Sequence, residues 1–417
     1  MVIRLDKKHS ESQFNLLTMS NPTDSQTFCP HMWLSATHSN GGFFKPCCVY
    51  DSNNHENKWG LGFTNNQRYL DAQRKKLANN EKPSECGRCF YYEEKGIKSL
   101  RTDTLDFDWW KPYADHINEN TDMATGRYER DPVYFDLKLG NKCNLACRMC
   151  SPSDSSLIEK EIRKDPTLFD YNPVYKQDID FINQHYTDDR KIDMVFDAIS
   201  NVEQLVELKF TGGEPFLNQR IPQFIDQCID KGIADKIKIH FTSNLTTLPD
   251  KILDKLSKFK YSNINVSMEG IESTYEYIRY PASWDKFSKN FDKLISSGVN
   301  YSVTYTANNL SVVDMHRWLD WITKKEVNWT ANPVIDPSYY HVRILPLELK
   351  QEVNYHCRNM PLDIHTRSKV AGILNMMDQP SDAQIWETFC KETKIKDKIR
   401  SQSIAKSIPL LGGFVAG

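Results

Sequence analysis

Six short apolar stretches alternate with stretches of helical periodicity, and this alternation constrains the fold more than any other feature of the sequence. The apolar stretches are VYFDLKL (133–139), LVELKFT (205–211), KIKIHFT (236–242), NINVSM (263–268), NYSVTYT (300–306) and NWTANPV (328–334). Helix-like stretches such as IPQFIDQCIDKGI and WDKFSKNFDKLISSG lie between them. Strands that alternate with helices indicate a parallel sheet with helical crossovers. The sequence therefore predicts an α/β fold, a partial (β/α)6 TIM-like barrel over residues 132–340.

The remaining sequence divides into three parts. Residues 1–100 have weak periodicity and five cysteines, which predicts a small Cys-rich domain stabilised by a metal centre rather than by a large apolar core. Residues 101–131 are charged and irregular, and we expect a connector. The first crossover, 151–204, is long enough for two helices. Residues 341–417 are helix-like and predict a C-terminal helical extension that covers the mouth or the bottom of the barrel.

Composition limits the partners and the compartment. Lys and Arg number 53 against 55 Asp and Glu, so no basic field favours DNA. There is no run of about 18 apolar residues, and we expect no membrane span. The opening MVIRLDKKHSESQF lacks the apolar segment of a signal peptide, so we expect a cytoplasmic protein. Eleven cysteines in a reducing compartment favour metal or cluster ligation over disulfides.

Three cysteines follow the first strand directly. Cys143, Cys147 and Cys150 have the spacing C-x3-C-x2-C in LGNKCNLACRMC. A structural zinc site normally takes four protein ligands, whereas a [4Fe–4S] cube has four irons that each need an outer ligand. Three cysteines on one loop can bind three irons of such a cube and leave the fourth open. The loop lies at the carboxyl end of a strand, where barrels build their sites.

A second motif ends the second strand. KFTGGEPFL (209–217) contains Gly212, Gly213 and Glu214. Two glycines let the backbone approach a ligand closely, and their carbonyls, with Glu214 beside them, suit an amino group. A Gly-Gly pair after a strand is also a common turn, so this motif alone is weak.

Together the two motifs resemble those of the radical S-adenosylmethionine (SAM) superfamily, and the resemblance covers about residues 133 to 335. It implies that Cys143, Cys147 and Cys150 hold a [4Fe–4S] cluster, whose open iron is chelated by the amino and carboxylate groups of SAM. It also implies the reaction. One electron cleaves the sulfonium, and the resulting 5′-deoxyadenosyl radical abstracts hydrogen from a substrate.

The resemblance implies cofactor contacts near the first and third strands. Met149 holds the position of the residue that lies against adenine, where Tyr or Phe is commoner. Ser243 and Asn244 in FTSNLT end the third strand, where family members use Ser, Thr or Asn to contact the cofactor.

Three more contacts are implied at and after the fourth strand. Ser267 and Glu269 in NVSMEG match the serine and the acidic residue that reach the methionine carboxylate and the ribose. Arg279 has a guanidinium suited to pairing the carboxylate. Ordinary capping at strand ends is the alternative explanation for these polar residues.

The N-terminal cysteines resemble the auxiliary-cluster modules called SPASM or twitch. The matching segments are FCPHMWLSATHSNGGFFKPCC and PSECGRC. The resemblance implies that Cys29, Cys47, Cys86 and Cys89 hold a second [4Fe–4S] cluster, and the proline-cysteine step favours Cys47 over Cys48. Such modules usually follow the barrel, whereas this one precedes it. A structural zinc ribbon is the alternative.

These features predict a radical SAM enzyme. Its predicted substrate is a peptide or protein, because relatives of the auxiliary module largely modify such substrates. A small-molecule substrate, such as a sugar or cofactor precursor, is the alternative within enzymes. A non-enzymatic iron–sulfur or zinc scaffold, or an electron-transfer protein, is the alternative outside them. An enzyme of this kind needs an electron donor such as flavodoxin or ferredoxin. We expect the isolated Cys228, Cys357 and Cys390 to be inert, and the histidines to have no metal role.

Overall fold

The structure is a computed structural model that describes residues 21–38, 44–51, 68–165, 168, 173–185, 189–200, 202 and 204–416. Two segments of the cysteine-rich N-terminal region, 39–43 and 52–67, therefore lie outside the described residues. The chain divides into two compact units. The N-terminal unit takes its described residues from Met1–Thr37, Phe44–Glu94 and Lys98–Phe135, and the main unit takes them from His38–Phe43, Lys95–Ile97 and Asp136–Gly417.

Up to residue 135 the chain is mainly helical, with two short strands, β1 (Ser35–His38) and β2 (Phe44–Lys45). The α-helices are His31–Leu34, Arg68–Ala78, Gly87–Glu94, Leu100–Asp106 and Ala114–Asn120. Trp33, which is fully buried, donates its indole N–H to the Thr121 hydroxyl at 3.0 Å. The region predicted as an irregular connector, 101–131, thus contains two of these helices and packs within the N-terminal unit, because its aromatic and aliphatic residues supply core contacts that its charged composition conceals.

From Tyr134 onward the strands lie in the sheet in the order in which they follow one another along the chain. They are β3 (Tyr134–Lys138), β4 (Glu207–Thr211), β5 (Lys238–Ser243), β6 (Tyr261–Ser267), β7 (Asn300–Tyr305) and β8 (Trp329–Ala331). The four neighbouring pairs from β4 to β8 are parallel. The predicted α/β class is confirmed, and each predicted strand coincides with an observed one to within a few residues.

The strands alternate between a face covered by helices and a polar face. On β4, Phe210 is fully buried and its ring lies 6.2 Å from Phe196 and 6.4 Å from Phe224, both on helices. The residues on either side of it, Lys209 and Thr211, are half-buried and bond to Asp136 on β3. Because side chains point alternately to opposite faces of a strand, these polar residues face away from the helices.

Helices connect the strands and follow the last one. They are Ser156–Lys164, Pro173–His185, Asp189–Ser200, Arg220–Asp230, Asp250–Leu256, Glu272–Ile278, Trp284–Ser296, Met315–Lys324, Leu347–Arg358, Ile364–Met377, Ala383–Arg400, Ile404–Ser407 and Pro409–Ala416. The first crossover holds three helices rather than the predicted two. Among the described residues, no helix has the length and apolar character needed to cross a membrane.

Candidate functional site

The cysteine loop lies at the carboxyl edge of the sheet and is fixed by backbone hydrogen bonds on several sides. The Ala146 N–H donates to the Tyr280 carbonyl at 2.6 Å, and the Arg148 N–H donates to the Ile278 carbonyl at 2.9 Å. Ser156, at the start of the following helix, accepts from the Cys143 N–H at 3.2 Å through its hydroxyl. The loop is therefore held by the chain that follows β3 and by the segment after β6.

The loop sulfurs interact with one another in pairs, and two of them lie close to hydrogen-bond donors. The Cys147 and Cys150 thiols share a hydrogen bond. The Leu145 N–H donates to Cys143 Sγ at 3.4 Å, and Asn244 Nδ2 lies 3.8 Å from the same sulfur. Donors of this kind favour the thiolate form, which is the form that binds metal.

Burial and charge act in opposite directions on these thiols. Burial raises the pKa of Cys143 to about 12, with a further contribution from Cys147. The hydrogen bond from Cys150 lowers the pKa of Cys147, and the positive charges of Arg279 and Arg400 lower it further. The protons held in the metal-free loop must leave when a metal binds, so binding is expected to release protons.

The glycine pair after β4 packs directly on the cysteine loop. Gly212 and Gly213 have φ values of +76° and +51°, in the left-handed region that favours glycine. A Cβ on Gly213 would lie 2.3 Å from the Lys142 carbonyl oxygen, just before the first cysteine. The Glu214 N–H donates to that same oxygen at 2.8 Å. The two motifs are therefore in backbone contact at Lys142, and a side chain on residue 213 would not fit there.

Glu214 connects the ends of β4 and β5. Its carboxylate is 1% exposed and accepts from the Ser243 hydroxyl at 2.9 Å, the Asn244 N–H at 2.7 Å and the Phe216 N–H at 3.1 Å. Burial raises the pKa of Glu214 to about 7, although each of these hydrogen bonds acts in the opposite direction. Three residues that the sequence assigned to the cofactor thus form one hydrogen-bonded group.

An amide network extends this group to the cysteine loop, and no sequence motif indicates it. Asn144 Nδ2 donates to the Thr246 hydroxyl at 2.8 Å, and Asn244 Nδ2 donates to Asn144 Oδ1 at 3.1 Å. These residues are about 100 positions apart, so only the shared edge of the sheet brings them together.

Glu269 and Arg279 form a buried bidentate ion pair with each other. Arg279 Nε and Nη2 donate to the Glu269 oxygens at 2.6 Å and 2.5 Å, and Arg279 Nη1 lies 3.8 Å from Cys147 Sγ. The family resemblance implied a separate cofactor contact for each of these two residues. Ser267 ends β6 and Met149 lies between the second and third loop cysteines, and both are partly buried.

This donor set fits a [4Fe–4S] cluster. Three cysteines on one buried loop supply soft thiolate ligands for three irons, and Asn244 and Arg279 place N–H groups beside two of the sulfurs. In the described part of the chain, no group of three or more His, Cys, Asp and Glu side chains is arranged to hold a single metal ion. In a cluster each thiolate binds a different iron, so the two arrangements are distinct.

Four of the five N-terminal cysteines line one small cavity in the N-terminal unit. They are Cys29, Cys47, Cys86 and Cys89. Cys48 is exposed and does not line it. Burial raises the pKa of all four lining thiols, whereas backbone hydrogen bonds from His31 and Arg101 favour the thiolates of Cys29 and Cys89, respectively.

Arg101 joins the segment that carries Cys29 to the helix that carries Cys89, a role that the sequence did not indicate. Its guanidinium donates to the Gln26 carbonyl at 2.9 Å, the Phe28 carbonyl at 3.2 Å and Glu93 Oε1 at 3.0 Å. Glu93 belongs to the same helix as Cys89, and Phe28 precedes Cys29. The cavity is therefore bounded by segments that one buried cation holds together.

The histidines near these sites have ordinary partners. His31, beside the N-terminal cavity, bonds through one ring nitrogen to the Ser35 hydroxyl at 2.7 Å and through the other to the Thr104 hydroxyl at 2.9 Å. His240 pairs with Glu207 at 3.0 Å. The His316 and His356 rings stack with centroids 4.5 Å apart.

The isolated cysteines have environments that suit unreactive thiols. Cys228 and Cys357 are buried, and burial raises the pKa of each to about 12. Cys390 is partly buried, and burial raises its pKa as well. Thiols with raised pKa values carry little of the reactive thiolate at neutral pH.

Comparison with known proteins gives a family match over part of the chain. The family model described as Radical SAM superfamily matches residues 137–322. An uncharacterized protein of Methanocaldococcus jannaschii is 25% identical over 216 residues, which are 50% of this chain and 65% of that protein. The mitochondrial GTP 3′,8-cyclase of Arabidopsis thaliana is 23% identical over 211 residues, 49% of this chain and 47% of that protein. The matched region thus spans less than two thirds of either relative's length.

Solved structures show weaker likeness. Native anSMEcpe with bound AdoMet is 15% identical with a TM-score of 0.38, covering 53% of this chain and 59% of that one. SuiB of Streptococcus suis bound to S-adenosylmethionine is 13% identical with a TM-score of 0.28, covering 74% of this chain and 62% of that one. Scores of this size carry no conclusion about this chain.

Proposed function

We propose that residues 137–322, which match the family model described as Radical SAM superfamily, form the catalytic domain of an enzyme. In this proposal the chain reductively cleaves SAM and uses the 5′-deoxyadenosyl radical to abstract hydrogen from a substrate. The observation that carries the proposal is the junction of the two motifs. The Glu214 N–H donates to the Lys142 carbonyl at the base of the cysteine loop, and the glycine pair lies against the same backbone. The alternative of a non-enzymatic scaffold is set aside because the family and the cyclase relatives indicate an enzyme.

Cys143, Cys147 and Cys150 are the proposed ligands of the [4Fe–4S] cluster. When bound, the cluster supplies the electron that breaks the sulfonium bond of SAM. The residues around the loop stabilise the negative charge of the sulfurs, since Asn244 and Arg279 direct N–H groups at Cys143 and Cys147. The nearly complete burial of Cys147 keeps water away from the same place.

The SAM contacts are proposed at the carboxyl edge of the sheet. Gly212 and Gly213 offer backbone groups without a Cβ, beside Glu214. Ser243 and Asn244 extend this edge on β5, where Glu214 orients both of them.

Further contacts are proposed on the other side of the cysteine loop. Met149 lies on the loop itself, and Ser267 ends β6. Glu269 and Arg279 lie beyond it, and the position of Arg279 beside Cys147 supports a contact near the cluster.

The test is the formation of 5′-deoxyadenosine by anaerobically reconstituted protein with dithionite and SAM. We expect the wild type to form the nucleoside and the Cys143→Ala/Cys147→Ala/Cys150→Ala variant to form none. A wild-type protein that binds about four irons in this loop yet forms no 5′-deoxyadenosine would contradict the proposal. The Cys228→Ala variant is the matched control, because this buried thiol lies on a helix outside the loop.

A second [4Fe–4S] cluster is proposed in the N-terminal unit, as in a SPASM or twitch module. The cavity lined by Cys29, Cys47, Cys86 and Cys89 supports it, and the exposure of Cys48 supports the choice of Cys47. Four cysteines close the site, which suits electron relay or a structural role. Two cubes give about eight irons per chain, whereas a zinc ribbon gives about four irons and one zinc.

The neighbouring cysteines offer a matched pair of variants for this cluster. We expect Cys47→Ala to lose the N-terminal iron and Cys48→Ala to retain it, as measured by iron analysis of reconstituted protein. Equal iron content in the two variants would contradict the assignment of Cys47. Loss of iron in Cys48→Ala alone would transfer the ligand role to Cys48.

A peptide or protein is the first proposed substrate, and its support is the cysteine arrangement of the N-terminal unit. A small molecule is the second, and its support is the similarity to proteins named GTP 3′,8-cyclase. The polar sheet face suits either, since Asn265 donates to the Thr304 hydroxyl at 2.8 Å and Asn263 donates to Ser302 at 3.3 Å. Such groups recognise amides, sugars and bases alike.

The two substrate classes are separated by adding candidates to the 5′-deoxyadenosine assay. Stimulation by GTP, with transfer of deuterium from labelled GTP to the nucleoside, would favour the small molecule. Stimulation by a short peptide encoded beside this gene would favour the peptide. A flavodoxin or ferredoxin is the proposed electron donor in a cytoplasmic setting, and it should replace dithionite in the same assay.

A further inference from the structure

Arg148, in the cysteine loop, is held by the helix Ala383–Arg400 and by the residues that directly follow it. Arg148 lies between the loop ligands Cys147 and Cys150. Its carbonyl accepts from Lys396 Nζ at 3.1 Å, and its guanidinium Nη2 donates to Asp397 and, at 2.9 Å, to Gln402. Both the backbone and the side chain of one loop residue are thus bound by residues 396–402, which lie outside the matched domain at 137–322.

The Lys396 contact is buried, and the Asp397 and Gln402 contacts are partly buried. Arg148 is 0% exposed and Lys396 is 2% exposed. Lys396 pairs with Glu392 one helical turn earlier and donates to the Tyr175 hydroxyl at 3.2 Å. A buried ammonium is costly unless it is paired and hydrogen-bonded, and here one of its bonds goes to the loop carbonyl.

The end of the same helix reaches the other side of the loop. Arg400 donates to the two oxygens of Glu161 at 2.9 Å and 2.7 Å, and its guanidinium lies 5.3 Å from the Tyr280 ring centroid. Glu161 is on the helix that follows the loop, and the Tyr280 carbonyl accepts from the Ala146 N–H. The helix therefore braces both chain segments that fix the loop.

Two buried donors in this region are unused within the described residues. They are the Nη1 groups of Arg148 and Arg400. An anionic cluster would give such donors and charges a favourable counterpart.

We propose that Lys396, Asp397, Arg400 and Gln402, which we name the C-terminal clamp, are positioning residues that fix the cysteine loop and retain the cluster in it. Lys396, Asp397 and Gln402 act through Arg148. Arg400 acts through Glu161 and Tyr280. The inference rests on the proposed function and extends it beyond the family-matched domain. Partners that orient metal ligands from outside the ligand set typically change metal affinity by about tenfold to a hundredfold when they are removed.

The test uses a variant that removes a buried pair without leaving a single charge. In full-length Glu392→Gln/Lys396→Met the loop carbonyl loses its ammonium donor. Lys398→Met is the matched control, because Lys398 is exposed on the same helix. Gln402→Ala is the second clamp variant, and Gln402 is only partly buried, so its removal leaves the core intact.

The readout is the change that SAM produces in the electron paramagnetic resonance spectrum of the reduced protein, followed in time after a ferrous chelator is added. A closed N-terminal site with four cysteines gives no such change, so the signal reports the loop cluster. We expect it to decay about tenfold faster in Glu392→Gln/Lys396→Met than in wild type, faster also in Gln402→Ala, and unchanged in Lys398→Met. Thermal unfolding of the metal-free variants identifies any that fail to fold.

Decay at the wild-type rate in both folded clamp variants would overturn the clamp while leaving the proposed function intact. If the double variant fails to fold, Gln402→Ala decides alone. A wild-type spectrum that does not respond to SAM would instead contradict the proposed function, so the two failures are distinguishable.

Discussion

The buried pair of Glu269 and Arg279 gives a prediction whose size follows from the structure. The two side chains are 1% and 7% exposed, and two short hydrogen bonds join them. Arg279→Met removes the guanidinium and leaves an uncompensated carboxylate in the core. Breaking a buried pair in this way typically costs about 3–5 kcal/mol of unfolding free energy.

The double variant Glu269→Gln/Arg279→Met should recover much of that loss, because it leaves no unpaired charge. Replacing both members of a buried pair is often close to neutral. We therefore expect a coupling free energy between the two sites of at least about 2 kcal/mol. The assay is urea unfolding of the metal-free full chain, followed by far-ultraviolet circular dichroism, for wild type, both single variants and the double variant.

Additive effects of the two substitutions would refute the reasoning, since additivity would mean that the two groups do not depend on each other in the folded chain. A functional readout accompanies the cycle. Arg279→Met also removes the N–H group beside Cys147, so reconstituted protein should retain less iron in the loop than Glu269→Gln does. Equal loop iron in the two single variants would show that Arg279 does not act on Cys147.

Three further predictions follow from single contacts. Gly213→Ala should lower loop iron and stability more than Gly232→Ala, because both residues have positive φ but only the Gly213 Cβ meets the Lys142 carbonyl oxygen, at 2.3 Å; equal losses would contradict the close packing. The raised pKa of Glu214, about 7 against an ordinary 4.5, means that the folded metal-free state holds this proton more tightly than the unfolded state. Below pH 4.5 the Glu214 carboxyl does not lower the stability of the wild type, and between pH 4.5 and pH 7 it lowers that stability increasingly. The unfolding free energy of Glu214→Gln minus that of the wild type should therefore rise by roughly 3 kcal/mol from pH 4.5 to pH 7. A difference that does not change with pH would contradict this prediction. Arg101→Met should lower total iron from about eight toward four per chain by loosening the cysteine segments of the N-terminal unit; unchanged iron would show that these segments hold without it.

The sequence predicted those features that depend on local pattern. The six strands could be found because alternating apolar residues mark them. The junction of Lys142 and Gly213 could be expected because the two motifs follow neighbouring strands of the sheet. The prediction of a Radical SAM superfamily domain is supported by the family match over residues 137–322, which are less than half of the chain. The SPASM or twitch module, the second cluster and the peptide substrate remain predictions.

Features that depend on distant contacts could not be predicted. Arg148 and Lys396 are 248 positions apart, and no periodicity in either segment indicates that they meet. The helices within 101–131 were missed because charged residues dilute the apolar pattern there. Glu269 and Arg279 were each assigned to the cofactor, yet the turn after Ile278 brings them together as a pair.

The open iron is the central claim, and isotopic labelling tests it most directly. Reduced, reconstituted protein is mixed with SAM carrying ¹⁵N in its amino group, and the hyperfine coupling of that nitrogen to the cluster is measured. We predict a coupling that disappears in the Cys143→Ala/Cys147→Ala/Cys150→Ala variant. A cluster whose fourth iron is bound by a protein side chain, with no nitrogen coupling from SAM, would contradict the account.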